Sequence, residues 1–419
     1  MFDRICMIGL GYIGLPTATL LAAHGHRVIG VDISPRVVDT INAGNIHIVE
    51  PELDGLVHKA VSAGRLSATL TPQPADAFII AVPTPFKDGH QPDLGYIEAA
   101  ARAMAPVLVA GNLVILESTS PVGATRQMAG WLAAARPDLS FPQDAGDDAD
   151  IQIAHCPERV LPGQVVRELV ENDRIIGGMS TRATEMATAL YRLVVRGDCI
   201  ATDAETAEMC KLVENSSRDV QIAFANELSM ICDRFGIDVW ELIRLANRHP
   251  RVNILQPGAG VGGHCIAVDP WFIVASAPEE AVLIRTARMR NDAKPDWVLD
   301  KGRAAILAAL EADPSRSMSD IRVACLGLAF KPDIDDLRES PALAITRRFA
   351  GLGCRVLAVE PHIRELPDSL AGLPVALVAL AEAVAQADVI CVLVRHSAFG
   401  GLRDRLPEGA RLVDVVGLP

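Results

Sequence analysis

The run Gly9-Leu-Gly-Tyr-Ile-Gly14 constrains the start of this chain more tightly than any other feature. It follows an apolar run at Ile5–Ile8 with a strand's composition and opens a helical pattern over Tyr12–Ala23. At this spacing the first glycine makes the turn from strand to helix. The second lets a ligand's pyrophosphate approach the backbone, and the third lets helix and strand pack closely. The positive end of the helix dipole then faces the phosphates. A second strand, Val28–Val31, runs into Asp32. A carboxylate there accepts hydrogen bonds from ribose hydroxyls and repels a 2′-phosphate, which favours NAD over NADP, although Arg36 lies close enough in sequence to receive such a phosphate. The dinucleotide contacts expected from this segment are Gly9, Gly11, Tyr12, Ile13, Gly14, Asp32 and Arg36.

Strand and helix patterns alternate through the first part of the chain, the signature of a parallel sheet with crossover helices. Strands are expected at Ile5–Ile8, Val28–Val31, Ala77–Val82, Leu113–Glu117 and Ile151–His155, with helices at Tyr12–Ala23 and Leu94–Val109. From Ala204 to Asn247 the pattern is continuously helical, with one break at Phe235-Gly-Ile-Asp238, and Glu280–Leu310 is again mostly helical. After the loop-like Asp313–Ser319 the alternation resumes, with strands at Val323–Leu326, Val356–Val359, Val389–Val394 and Arg411–Val416. The fold class expected is α/β: two doubly wound Rossmann-like domains joined by a helical central domain with a long helix. The boundaries are 1–197 for the NAD-binding domain, 198–312 for the central domain and 313–419 for the C-terminal domain.

Composition excludes several classes of function. The 419 residues carry a net charge of −13, which leaves no generic basic surface for nucleic acid or an anionic membrane. No apolar run reaches the ~20 residues needed to span a bilayer, and the N-terminus lacks the layout of a signal peptide. The nine cysteines are scattered without a Cys-x-x-Cys pair, which argues against a disulfide framework and against a structural metal site. A reducing cytoplasm is the expected location.

One of those cysteines sits in unusual company. Pro257-Gly-Ala-Gly-Val-Gly-Gly-His-Cys265-Ile-Ala-Val-Asp269-Pro270 places four glycines before a thiol and a carboxylate four residues after it. Such a backbone folds tightly and brings the sulfur close to a ligand. A thiol beside a hydride acceptor suits a sequence of alcohol oxidation, capture of the aldehyde on sulfur, a second oxidation and hydrolysis of the thioester. A free cysteine in a glycine-rich turn also occurs as a small buried apolar group.

Lys211, Asn215 and Arg218 recur on one face of the central helical pattern, while Leu212, Val213, Ile222, Phe224 and Ala225 suggest that the helix is otherwise largely buried. A second basic cluster follows at Asn247-Arg-His-Pro-Arg251. Converging cations suit a diphosphate-bearing substrate, and a lysine near the reacting carbon stabilises an oxyanion and lowers a thiol pKa; a solvated charged face accounts equally for the stripe. Thr84 in Val82-Pro-Thr-Pro85, and Thr119 and Thr125 in Glu117-Ser-Thr-Ser-Pro-Val-Gly-Ala-Thr125, follow expected strands, where hydroxyls line a ligand crevice or serve as turn formers.

These segments together resemble the UDP-glucose/GDP-mannose dehydrogenase family over nearly the whole chain. The motifs that carry the resemblance are Gly9–Gly14, Ser118-Thr-Ser-Pro-Val-Gly123, Cys156-Pro-Glu-Arg-Val-Leu-Pro-Gly163, Lys211-x-x-x-Asn215 and Gly262-Gly-His-Cys265 with Asp269. Gly327-Leu-Ala-Phe-Lys-Pro332 with Asp335-Asp-Leu-Arg-Glu-Ser340 completes the set. The resemblance implies that Cys265 is the nucleophile, Lys211 the proton-transfer or oxyanion group and Asn215 its assistant. Asp269 and Glu158 would manage the hydrolytic water, with Thr119 close by. Arg159, Val160, Lys211, Asn215, Arg218, His249, Arg251, Gly262, Phe330 and Lys331 would line the UDP-sugar site, and Arg338 would reach NAD.

The activity implied is the four-electron oxidation of a UDP-hexosamine C6 alcohol to a carboxylate, in a homodimer built on the central helix. A two-electron β-hydroxyacid dehydrogenase also places Lys-x-x-x-Asn on a central helix, but needs neither the thiol nor a third domain. One departure stands out: the family commonly carries a basic residue after the last strand, where this chain has Val415.

Overall fold

The glycine turn at residues 9–14 takes the geometry its sequence requires in the computed structural model, which describes residues 2–48, 50–161, 163–263, 266–407 and 409–418. Gly9 has φ +94°, and a Cβ added at Gly14 would stand 1.9 Å from the Gly9 carbonyl oxygen. Neither position tolerates a side chain. The described residues divide into two units: Met1–Glu214 with Ala275–Ala277, and Asn215–Val274 with Pro278–Pro419.

In the first unit the strands are β1 (Arg4–Ile8), β2 (Arg27–Val31), β3 (Leu66–Thr69), β4 (Ala77–Ile80), a small hairpin of β5 (Phe86–Lys87) and β6 (Gln91–Pro92), then β7 (Leu113–Leu116), β8 (Gln152–His155), β9 (Arg174–Gly178) and β10 (Cys199–Asp203). Apart from the hairpin they form one sheet in the order β10-β9-β8-β7-β4-β1-β2-β3. The order reverses between β1 and β4, which makes the carboxyl ends of those strands the ligand crevice of a doubly wound fold. β4, β7 and β8 are buried at every residue, because helices cover both faces. One apolar cluster gathers Leu15, Leu21 and Val57 on one face, and another gathers Ile97, Met104 and Met128 on the other.

Three details depart from expectation. The sheet is mixed, since β8 and β9 pair antiparallel through Ala154–Gly178 and His155–Gly177. Its last strand, β10, pairs parallel with β9 and lies beyond residue 197. The helix expected over Leu94–Val109 is α-helical only for Gly95–Met104 and tightens to a 3₁₀ turn at Ala105–Val107, where Pro106 has no N–H for the α pattern.

The second unit repeats the plan with β11 (Arg322–Leu326), β12 (Arg355–Val359), β13 (Val375–Leu377), β14 (Val389–Val392) and β15 (Arg411–Asp414), all parallel, in the order β13-β12-β11-β14-β15. Its opening turn copies the first: Gly327 has φ +92° and donates to Val359 O at 2.8 Å, as Gly9 donates to Val31 O at 2.8 Å. The helix Val282–Ala312 packs on this sheet, and its Gly302 leaves room for the buried Phe349 ring, which a Cβ would meet at 2.3 Å.

The 32-residue helix Ala204–Phe235 carries the boundary between the units, which falls between Glu214 and Asn215. It stops at Gly236, φ +67°, and Asp238 caps the following helix Val239–Ala246 by accepting from Trp240 N and Glu241 N. Val213 and Phe224, expected to be buried, are 43% and 53% exposed. The buried line follows instead Leu212, Ser216, Asp219, Ala223 and Asn226, at alternating spacings of four and three. Among the described residues no helix is long and apolar enough to cross a membrane.

His155, on fully buried β8, has no hydrogen-bond partner on either ring nitrogen, and burial pushes its pKa down to about 3. The unfolded chain accepts that proton near pH 6.5, the native chain only near 3. Stability from this group is therefore present above pH 6.5 and lost as pH falls towards 3. Urea denaturation of the His155→Leu variant from pH 7 to pH 4 is expected to show a shallower loss of stability than the wild type.

Candidate active site

The fingerprint presents open backbone where a dinucleotide needs it. A Cβ added at Gly11 would meet nothing within 4 Å, Tyr12 is exposed and Ile13 is half-buried. Asp32, half-buried at the end of β2, accepts from Leu10 N at 3.2 Å and from Ser34 N at 2.9 Å, so its carboxylate is fixed beside the glycine turn. Arg36 is exposed on the following helix. His47, which sequence reading passed over, feels the field of Asp32; burial lowers its pKa and Asp32 opposes the shift. These features fit a dinucleotide whose ribose meets Asp32.

The threonines divide. Thr84 Oγ1 donates to Thr119 O at 2.6 Å, tying together the loops after β4 and β7, and Thr119 itself is half-buried. Thr125 is buried, and its hydroxyl and amide donate to Glu208 at 2.6 and 2.7 Å, while Gly123 N donates to the same carboxylate at 2.6 Å. The helix Ala124–Ala135 begins here, and Glu208 accepts from the amides at its start. The Thr125 hydroxyl therefore holds an internal carboxylate.

A buried ion pair stands next along the chain. Lys211 Nζ donates to Glu158 Oε1 at 3.0 Å, with the two side chains 8% and 12% exposed. Glu158 follows β8 by way of Cys156-Pro157, and Lys211 projects from the long helix. Arg159, expected at the substrate, is held by Glu214 through Nε and Nη2, at 3.2 and 2.7 Å, and by Asp173 O. Val160 packs against the apolar cluster of this unit. Beneath lies a wholly buried group, Glu117 with Arg174 and Tyr191: burial pushes the Glu117 carboxyl up to about 7 against the pull of Arg174. Burial also pushes the Cys156 thiol up to about 12, which leaves it unreactive.

In the second unit Asn215 Nδ2 donates to Asp269 Oδ2, and Asp269, which begins the helix Asp269–Ser276, is 3% exposed. Cys265, with His264, lies outside the described residues. The glycines before it pack tightly: a Cβ at Gly262 would meet Glu339 O at 2.4 Å and Phe330 Cβ at 2.9 Å, and one at Gly263 would meet the Phe330 ring at 3.2 Å. Phe330 and Lys331 are half-buried, with Lys331 Nζ 5.8 Å from the Phe330 ring centre. Arg338 is gripped by Asp336 through Nε and Nη2.

Arg218, His249 and Arg251 are exposed. Asn247 closes the loop between them and Ile254 through paired bonds of 2.9 and 2.7 Å. Val415 packs in the core of this unit, which has no place for a basic side chain there. Asp333, His362 and His396 offer ligand atoms within 4.8 Å of one another, but His396 accepts from Asp333 N on Nδ1 and meets Glu360 with Nε2. Both nitrogens are engaged in holding the loop after β11.

Comparison with known proteins fits this arrangement. Residues 3–195 match the NAD binding domain of the UDP-glucose/GDP-mannose dehydrogenase family, residues 205–293 its central domain and residues 324–418 its UDP binding domain. A Yersinia pestis protein named UDP-N-acetyl-D-mannosamine dehydrogenase is 60% identical over 418 residues, covering 100% of this chain and 99% of its own. A Ralstonia nicotianae protein named NDP-N-acetyl-D-galactosaminuronic acid dehydrogenase is 62% identical over 420 residues, covering 100% and 96%. The solved structure of UDP-D-ManNAc dehydrogenase from Pyrococcus horikoshii superposes with a TM-score of 0.84 at 39% identity, covering 99% of this chain and 95% of that one. The chain belongs to the UDP-glucose/GDP-mannose dehydrogenase family.

Proposed function

We propose that this protein oxidises UDP-N-acetyl-D-mannosamine at C6 to UDP-N-acetyl-D-mannosaminuronate, a precursor for surface polysaccharide. The observation that carries the reading is the end-to-end identity of 60% with proteins named for that substrate. A different sugar is the second reading, because relatives of equal similarity are named for an N-acetylgalactosaminuronic acid; UDP-N-acetylglucosamine is the third substrate to compare. The stereochemistry at C2 and C4 is read by pocket shape.

NAD, when bound, accepts hydride, and two molecules are reduced per sugar. The chain supplies the remaining chemistry. The C6 alcohol loses a hydride and a proton to give the aldehyde, with Lys211 stabilising the oxygen or carrying the proton. The Cys265 sulfur adds to the aldehyde carbon to form a hemithioacetal, whose C–H is the second hydride. Loss of that hydride and of the hydroxyl proton gives a thioester. Water, activated by Glu158 or Asp269, cleaves the C–S bond to release the carboxylate and return the thiol. Asn215 orients the polar groups on the helix face, and Thr119 lies near the water. Arg218, His249 and Arg251 bind the diphosphate and uridine portion, with Gly262, Phe330, Lys331, Arg159 and Val160 around the sugar nucleotide and Arg338 towards NAD.

The working form is a cytoplasmic homodimer joined through the central helix. The apolar side chains Phe224, Ile231 and Phe235 on that helix, and Leu283 and Met289 on Val282–Ala312, are 45% to 69% exposed and need a cover.

Purified protein given the UDP derivatives of N-acetylmannosamine, N-acetylglucosamine and N-acetylgalactosamine is expected to show its highest kcat/KM with the first; a higher value for another would assign that sugar instead. Removing the carboxylate in Asp32→Ala is expected to weaken NAD binding by ~1.5–3 kcal/mol and narrow the gap to NADP, measured by titration of both cofactors. Arg251→Ala should raise KM for the UDP-sugar with NAD affinity unchanged; an unchanged KM would return this arginine to a solvated face. Cys265→Ala should make no uronate while still binding NAD, and iodoacetamide should inactivate the wild type unless UDP-sugar is bound.

A further inference from the structure

Between residues 219–229 of the long helix and the helix Val282–Ala312 lies a set of polar side chains with almost no exposure: Asp219, Asn226 and Arg288 at 0% and Asn291 at 1%. Arg288 Nη1 donates to Asp219 Oδ1, and Asn291 Nδ2 donates to Asp219 Oδ1 at 2.8 Å and to Asp219 O at 2.9 Å. Asn226 Nδ2 donates to Asn291 Oδ1 at 2.9 Å. Further bonds leave the network: Arg288 Nε donates to Asp292 Oδ1 at 3.2 Å one turn along its own helix, and two others go to one segment. Gly258 N donates to Asn226 Oδ1 at 2.9 Å, and Arg288 Nη1 donates to Ile266 O at 3.4 Å.

We propose that Asp219, Arg288, Asn291 and Asn226 are positioning residues that fix both ends of the segment 258–266, and through it the Cys265 thiol. This rests on the reading of Cys265 as the nucleophile.

Two physical arguments support the assignment. First, a buried ion pair is a poor way to gain stability, because desolvation offsets its attraction, and apolar replacements of similar volume are often as stable. Here Asp219 Oδ2 has no hydrogen-bond partner, so stability alone does not account for the pair. An apolar core would fill the same space but would offer no acceptor to Gly258 N and no donor to Ile266 O. Second, the segment needs external restraint. Gly258, Gly260, Gly262 and Gly263 give it wide conformational freedom, with Gly260 at φ +143° and Gly263 at φ +86°. A nucleophile on such a backbone reaches its target reproducibly only if its ends are held. One end is tied to the long helix through Asn226 and the other to the second helix through Arg288, and the four side chains bond to one another.

The test is the double variant Asp219→Asn/Arg288→Met in the full-length protein. It removes both buried charges at similar volume, leaves residue 219 able to bond Asn291, and deletes the donor to Ile266 O. Thermal melting and NAD titration establish that it folds and binds cofactor as the wild type does. With UDP-N-acetyl-D-mannosamine, kcat should fall roughly ten- to a hundredfold with KM little changed. The rate of iodoacetamide alkylation at Cys265, located by peptide mapping, should shift in the same variant without any sugar present. A folded variant with wild-type kcat and wild-type alkylation rate would overturn the proposal, as would a kcat loss matched by equal loss of NAD binding. Cys265→Ala, assayed in parallel, separates the two levels: if it still yields uronate the thiol reading has failed, and if it is inactive while the double variant is not, only the positioning role has failed.

Discussion

The helix Ala204–Phe235 buries polar side chains along the line where a helix of this length ordinarily buries aliphatic ones. Glu208, Lys211, Asp219, Asn226 and Ser229 are all under 9% exposed. Polar groups removed from water must find partners inside the protein, and the search for partners organises what surrounds them. Glu208 accepts from the start of the helix Ala124–Ala135, and Lys211 meets Glu158. Asp219 meets Arg288, Asn226 meets Asn291, and Ser229 accepts from Lys294. One element thereby bonds a loop in the first unit and the Gly258 end of the cysteine segment in the second. An aliphatic stripe would hold the helix as firmly but would orient nothing.

The two Rossmann-like sheets show how one turn can be kept while its ligand chemistry changes. Both begin with a glycine at positive φ that donates to the end of the neighbouring strand. Both place a carboxylate after that neighbour, Asp32 in one and Glu360 in the other. Asp32 is half-buried, beside a glycine whose surroundings are open. Glu360 is 4% exposed and accepts from Leu328 N, Ala329 N and His362 N and meets His396. That carboxylate anchors the loop after β11 and has little capacity left for a ribose. The same topology thus serves an NAD binding domain at one end of the chain and a UDP binding domain at the other.

Much of this was legible in the residues. The strand cores, the glycine fingerprint, and the break at Gly236 with Asp238 as a cap are written in local sequence, because each depends on backbone conformation or periodicity over a few residues. What was not legible depends on distant partners. The short strands β3 and β13 have weak patterns, and β9 carries two glycines; they are strands because neighbouring strands pair with them. That Thr125 bonds Glu208 and Arg159 bonds Glu214 could not be read from local sequence, because both partners lie far along the chain. Asp219 and Arg288 resemble surface charges on long helices. The signal that marks Asp219 is its place in the line 212–216–219–223–226, a core register with a charge in it. Phe224, beside that line, turns outward where an apolar residue was expected to turn in.

The measurement that bears most directly on the account is the number of NADH molecules formed for each UDP-sugar consumed at completion, with the product identified by mass spectrometry. Two NADH and a C6 carboxylate are the result expected of a chain that captures its own aldehyde on sulfur. One NADH with release of free aldehyde would contradict it, and would leave a two-electron dehydrogenase in which Cys265 has no chemical part.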